Sequence, residues 1–123
     1  MNIDADKITI NGKAYILEDA ISEKAETVEG MEYKIVRTTS AGVFAGYIEK
    51  QNGKEVVMRK ARRIWYWDGA ASLSQLAEEG TSKPNQCKFP CEVDKIELTE
   101  AIEILTVSKK AKKSIQGVAI WKQ

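Results

Sequence analysis

Asn52-Gly53 narrows the folds open to this chain more than any other pair of residues. It stands between two runs of strand composition, Val43 to Lys50 and Lys54 to Trp67. Asn-Gly readily adopts the left-handed conformations that a two-residue hairpin turn requires. The two runs are therefore predicted to lie antiparallel, side by side. Upstream, Tyr33, Ile35 and Arg37 alternate with Glu32, Lys34 and Val36, which predicts another strand, closing at Ser40-Ala41-Gly42. Gly42 at the mouth of the next strand and Gly46 inside it mark a bulge, a bend, or a close approach by another backbone or a ligand.

Helix signals are short and local. Ser72-Leu73-Ser74-Gln75 fits a capping box that opens a helix from Leu73 to Glu79, ended by Gly80 and kept from resuming by Pro84. Its start just past Gly69 leaves backbone amides free to meet an anion, or is simply a tight strand-to-helix connection. Ser108 caps a second, lysine-rich helix running through Ile115, with Ala111 and Ile115 on one side. Asp19 to Glu29 has loosely helical spacing and reads as a third short helix or a weakly packed lid. Val93 to Thr99 and Ala101 to Val107 read as further strands, Thr81 to Pro90 as an ordered loop with Phe89 plugged into the core, and Val118 to Trp121 as a last strand or tail. Near the start, Asn11-Gly12 predicts a small hairpin between Ile8-Thr9-Ile10 and Ala14 to Leu17. The sum is an α+β fold: one domain with a bent antiparallel sheet of about five or six strands and two or three short helices. An N-terminal hairpin and acidic segment would occupy residues 1–30 and the α+β domain proper residues 31–123.

Length and charge limit the function. A chain of 123 residues, 43% of them hydrophobic, suits a single core. Its formal charge of +1 means that anions are met by local basic patches, at 54–63 and 109–113, rather than by the whole molecule. The expectation is a soluble cytoplasmic protein with no membrane partner and no long nucleic-acid partner. There is no histidine, so the usual general base is missing, and Cys87 and Cys91 lack the further ligands a zinc site needs. Structural thiols, no metal and no cofactor are expected.

The residues left with chemistry to offer are cations beside aromatic rings. Arg59, Lys60, Arg62 and Arg63 lead into Ile64-Trp65-Tyr66-Trp67, and in an extended segment Trp65 and Trp67 share one face. Arginine matches phosphate with paired donors, and indoles stack on purines. Such a combination binds a nucleotide without changing it.

Three segments carry a resemblance to a known family. Val36-Arg37-x-x-x-Ala41-Gly42-Val43-x-x-Gly46, Arg63-x-Trp65-Tyr66-Trp67-x-Gly69-Ala70 and Ala111-x-x-Ser114-Ile115-x-x-Val118-x-x-Trp121 resemble the first type of phage Thoeris anti-defence protein, over about residues 31 to 121. The resemblance implies a sponge rather than an enzyme. Such proteins sequester the cyclic ADP-ribose isomer made by bacterial TIR-domain enzymes in an infected host, at subunit interfaces of homo-oligomers built from dimers. Some members also hold cyclic oligonucleotides at a separate site. From residue chemistry, Arg37, Arg62 and Arg63 are the candidate phosphate donors, Trp65, Trp67 and Phe89 the flat wall, and Thr38, Ser40 and Asn85 the polar contacts. The competing expectation is a phage inhibitor that covers a host enzyme or nucleic acid with a basic aromatic face. A hydrolase of the same messenger is the third.

Overall fold

The computed structural model describes residues 23–123, so the hairpin expected around Asn11-Gly12 lies outside the described residues. Five antiparallel strands form one sheet: β1 (Glu32–Thr38), β2 (Val43–Asn52), β3 (Glu55–Arg63), β4 (Glu92–Leu98) and β5 (Ala101–Thr106). Their spatial order is β4-β3-β2-β1-β5. That order carries a geometric demand, because β4 and β5 are consecutive in the chain yet form opposite edges. Laid flat at ~4.8 Å spacing, the edges would stand roughly 19 Å apart. Thr99 and Glu100 alone join them, and three Cα steps reach about 11 Å at most. The sheet is therefore rolled, and Ala101 N donates to Lys54 O at 3.0 Å where β5 meets the β2–β3 turn.

Rolling buries both faces, which is why neighbours along one strand serve different cores. Val36, Phe44, Val56, Met58, Ala61, Leu98 and Ala101 pack inside the roll. Tyr33, Ile35, Ala45 and Tyr47 point the other way, onto a layer made by helix α1 (Leu73–Glu79), helix α2 (Lys109–Gly117) and the loop carrying Phe89. Both helices begin as their caps predict: Ser72 Oγ accepts from Gln75 N at 3.2 Å and Ser108 Oγ from Ala111 N at 3.0 Å. The Gln75 side chain reaches back one residue further than expected, accepting from Ala71 N at 2.7 Å.

Four expectations are corrected. The described residues hold two α-helices plus a single 3₁₀ turn at Pro84–Gln86, fewer than the three helices that the upper count allowed. The described part of the Asp19–Glu29 segment is extended: Ala25 N donates to Val107 O and Lys109 N to Glu23 O, and Ala25 is buried. Hydrogen bonds to the β5–α2 junction thus override loosely helical spacing. β3 ends at Arg63 rather than Trp67, because its partner β2 begins at Val43 and, past the Phe44–Arg63 pair, offers only the Val43 carbonyl, taken by Ile64 N. Finally, Arg62 and Phe89 lie within the scaffold: Phe89 is wholly buried and Arg62 only 5% exposed.

Arg62 turns inward from β3 toward the helical layer. Its Nε donates to Pro90 O at 2.9 Å, Nη2 to Phe89 O at 2.9 Å and Nη1 to Ile115 O at 3.0 Å. Ile115 is in the last turn of α2, where its carbonyl also accepts the Val118 cap amide at 3.3 Å and a cation opposes the negative end of the helix dipole. The guanidinium also lies 5.5 Å from the Phe89 ring centroid. Burial pulls its pKa below the ordinary arginine value, with Tyr33, Glu92 and Cys91 acting in the opposite sense.

Gly46 is the second point on which the roll depends. A Cβ there would stand 2.7 Å from Ala61 Cα, at the register shift between Ala45 and Tyr47, opposite Lys60 with φ of 50°. The sequence-level alternatives at this glycine resolve to a bulge with close approach by β3 backbone.

Two outcomes follow in urea unfolding. Arg62→Ala removes three charged hydrogen bonds, leaving Pro90 O without the donor Arg62 supplied while Phe89 O and Ile115 O keep the Trp121 and Val118 amides, and is expected to lose about 3 kcal/mol, since a hydrogen bond to a charged group is worth ~1.5–3. Gly46→Ala, which forces two backbones apart, is expected to lose about 1–3 kcal/mol. A midpoint unchanged within error for either variant contradicts the role given to that residue.

Candidate functional site

The β1–β2 hairpin and the end of β3 come together because Ile64 N donates to Val43 O at 2.8 Å, one step past the last strand pair. Between them lies a groove of about 430 Å³ lined by Ser40, Ala41, Gly42, Val43, Arg63, Ile64, Trp65 and Trp67. Gly42 has φ of 105°, which only glycine adopts without strain. The Arg63 side chain runs past this glycine, its Nε 3.9 Å from where a Cβ would sit. Farther out, the Arg63 guanidinium lies 4.6 Å over the Phe44 ring. Among the described residues it pairs with no carboxylate, unlike Arg37 and Arg59.

The rim is held from below by Thr38. Its Oγ1 donates to Gly42 O at 2.8 Å and accepts from Ala41 N at 2.9 Å, while Thr38 N donates to the same Gly42 O at 3.0 Å. On the outer side, Ser40 Oγ donates to Glu100 Oε1 at 3.3 Å and Thr39 N to Glu100 O at 3.0 Å. Trp67 is fixed by its own indole, Nε1 donating to Ala70 O at 3.2 Å, whereas Trp65 stands 59% exposed.

Of the nine candidate residues, Ser40, Arg63, Trp65 and Trp67 border this one groove, and Thr38 supports its rim. The other four are elsewhere. Arg37 Nε donates to Glu103 Oε1 at 2.8 Å across β1 and β5, Asn85 is exposed on the 3₁₀ turn, and Arg62 and Phe89 belong to the packed interior. Sequence reasoning missed Ala41, Gly42, Val43 and Ile64 as lining residues, although the Gly42 signal was visible as an interrupted strand mouth. It also missed Lys88, whose nearness to the aromatic run comes from a long-range bridge between Tyr66 and Lys88 that no local pattern announces.

Chemically, the groove offers a guanidinium, a hydroxyl, backbone and two indole faces. None of its eight lining residues is Asp, Glu, His or Cys, the side chains that most often transfer protons or attack substrate. The thiols are apart from it: Cys87 is buried with Sγ 3.5 Å from Asp68 O, and Cys91 is exposed, both free.

Residues 31–115 match a protein family described as a domain of unknown function (DUF6948), a stretch that contains every groove residue and stops short of Trp121. Neither a curated protein nor a solved structure matches the chain.

Thr38→Val keeps the shape and removes the hydroxyl that orders the rim. Native-state hydrogen exchange of the Ala41 amide is expected to speed up about fivefold, the equivalent of one net hydrogen bond of ~1 kcal/mol. An unchanged rate shows that the rim is held by something other than Thr38.

Proposed function

The chain belongs to the DUF6948 family, and we propose that it is a binding protein: it takes a small phosphorylated, ring-bearing ligand into the Arg63 groove and releases it chemically unchanged. The observation that carries this reading is the convergence of a guanidinium that pairs with no carboxylate among the described residues, a glycine-floored hairpin and two indoles on one groove of about 430 Å³. Small-molecule sites commonly span about 300–1,000 Å³. Arg63 would address phosphate oxygens through its paired donors, an indole would lie against a base, and Ser40 would meet a ribose hydroxyl.

The finer reading names the ligand as a cyclic ADP-ribose isomer and the purpose as sequestration that blocks Thoeris signalling. It rests on the resemblance of the segments Val36 to Gly46, Arg63 to Ala70 and Ala111 to Trp121. A homo-oligomer agrees with the charge balance: a pyrophosphate carries two charges and this groove supplies one cation, so a second subunit closing over the exposed Trp65 would complete the site. Burial between subunits also slows release, which is what a sequestering protein needs.

Calorimetric titration with cyclic ADP-ribose isomers, run beside linear ADP-ribose, tests this directly. The expected result is uptake by the wild type, with the ligand recovered intact after heat denaturation, and at least about 30-fold weaker binding by Arg63→Ala, the ~2 kcal/mol of a charge-assisted contact. Arg63→Ala binding as tightly as wild type overturns the site, and an altered product overturns the non-enzymatic reading.

A further inference from the structure

Around Trp65, three exposed residues gather that do not line the groove: Tyr66, Lys88 and Trp121. Trp65 and Trp121 stack with ring centroids 5.2 Å apart and planes tilted by 31°. Tyr66 is 48% exposed and Trp121 37% exposed. The ammonium of Lys88 lies 5.7 Å from the Trp65 centroid, 5.9 Å from Tyr66 and 5.6 Å from Trp121. All three distances fall within the ~6 Å over which a ring face attracts a cation. Among the described residues, no carboxylate pairs with Lys88, so the rings are the cation's only close electrostatic partners there.

The geometry points to a three-ring cation site that Lys88 fills from within, and whose external ligand is a quaternary ammonium group such as a choline head or a trimethylated lysine. The occupant's chemistry is read from the tethered group already there: these rings hold an ammonium. The backbone around it is built for exchange. Lys88 N donates to Tyr66 O at 2.8 Å, Tyr66 N to Lys88 O at 3.3 Å and Trp121 N to Phe89 O at 3.0 Å. The strands carrying the rings are thus pinned together independently of the lysine side chain, which alone has to swing out. A primary ammonium is strongly hydrated and gives up little by leaving for water. A methylated cation is poorly hydrated and prefers the ring faces. This site does not depend on the phosphate reading of the groove, although Trp65 borders both.

The tethered lysine competes with any added cation, so the apparent affinity of the wild type is reduced by the fraction of time the site is self-occupied. Tetramethylammonium chloride, titrated against a sodium chloride series of equal ionic strength and followed by indole fluorescence and indole N–H resonances, reads this out. Lys88→Ala and Lys88→Met are each expected to bind at least about fivefold more tightly than wild type. Adding Trp121→Ala to Lys88→Ala should abolish the gain. The uncharged choline isostere 3,3-dimethylbutanol should bind markedly more weakly than choline. Equal binding of that alcohol would mean a merely apolar patch, and the same affinity in wild type and both Lys88 variants, or in the double variant and Lys88→Ala, overturns the proposal.

Discussion

The guanidinium of Arg62 is the interaction on which the other parts of the structure converge. It joins three pieces of chain that share no regular hydrogen-bond ladder: β3, the Phe89-Pro90 turn and the last turn of α2. Phe89 O and Ile115 O also accept the Trp121 and Val118 amides, so the guanidinium adds a charged second donor to each and supplies one to Pro90 O, where an unsatisfied buried carbonyl costs about 1–3 kcal/mol. A lysine offers a point charge where three divergent acceptors need a planar fork. The consequence runs outward, because Phe89 O receives both the Arg62 Nη2 donor and the Trp121 amide. The clasp therefore fixes the Phe89 peptide, and with it the neighbouring Lys88 and the stacked Trp121.

The rolled sheet explains why the groove lies where it does. With both faces of β1 and β2 packed, the β1–β2 turn meets the chain leaving β3 at one end of the sheet, where the groove opens. β2 crosses the whole roll only by shifting register twice, between Ala45 and Tyr47 and between Ile48 and Lys50. Each shift re-aims the side chains beyond it. Phe44 thus faces the inner core while presenting its ring edge-ward to Arg63, so the same curvature that closes the core holds the cation over the groove.

Local chemistry made much of the fold legible. Hairpin turns and caps depend on a few adjacent residues, so Ser72, Ser108 and Gly80 appear in the structure where their types place them, whereas the β2–β3 turn falls one residue later than Asn52-Gly53 predicts, on Gly53-Lys54, because Asn52 pairs with Glu55 and Gly53 takes the positive φ of 62°. The sheet's strand order was not legible, since it follows from which edges a two-residue link must reconcile. The site was harder still. Arg62 and Arg63 are adjacent and chemically identical in the sequence, yet one strand step puts the first among buried carbonyls and the second at an open groove. Phe89 read equally as core plug and ligand wall, and tertiary packing gave it the first role. Glu23 to Gly30 looked loosely helical because alanine and valine spacing carries no record of the β5–α2 junction it hydrogen-bonds to.

The central claim is that of two neighbouring arginines one holds the molecule together and the other faces a ligand. Side-chain NMR of the arginine Nε–H groups addresses it in a single spectrum, recorded with and without a phosphorylated ligand such as ADP-ribose. The account predicts an Arg62 Nε–H that exchanges slowly with water and does not move, beside an Arg63 signal that shifts on addition. A fast-exchanging Arg62, or a ligand response confined to Arg62 with Arg63 silent, would contradict it.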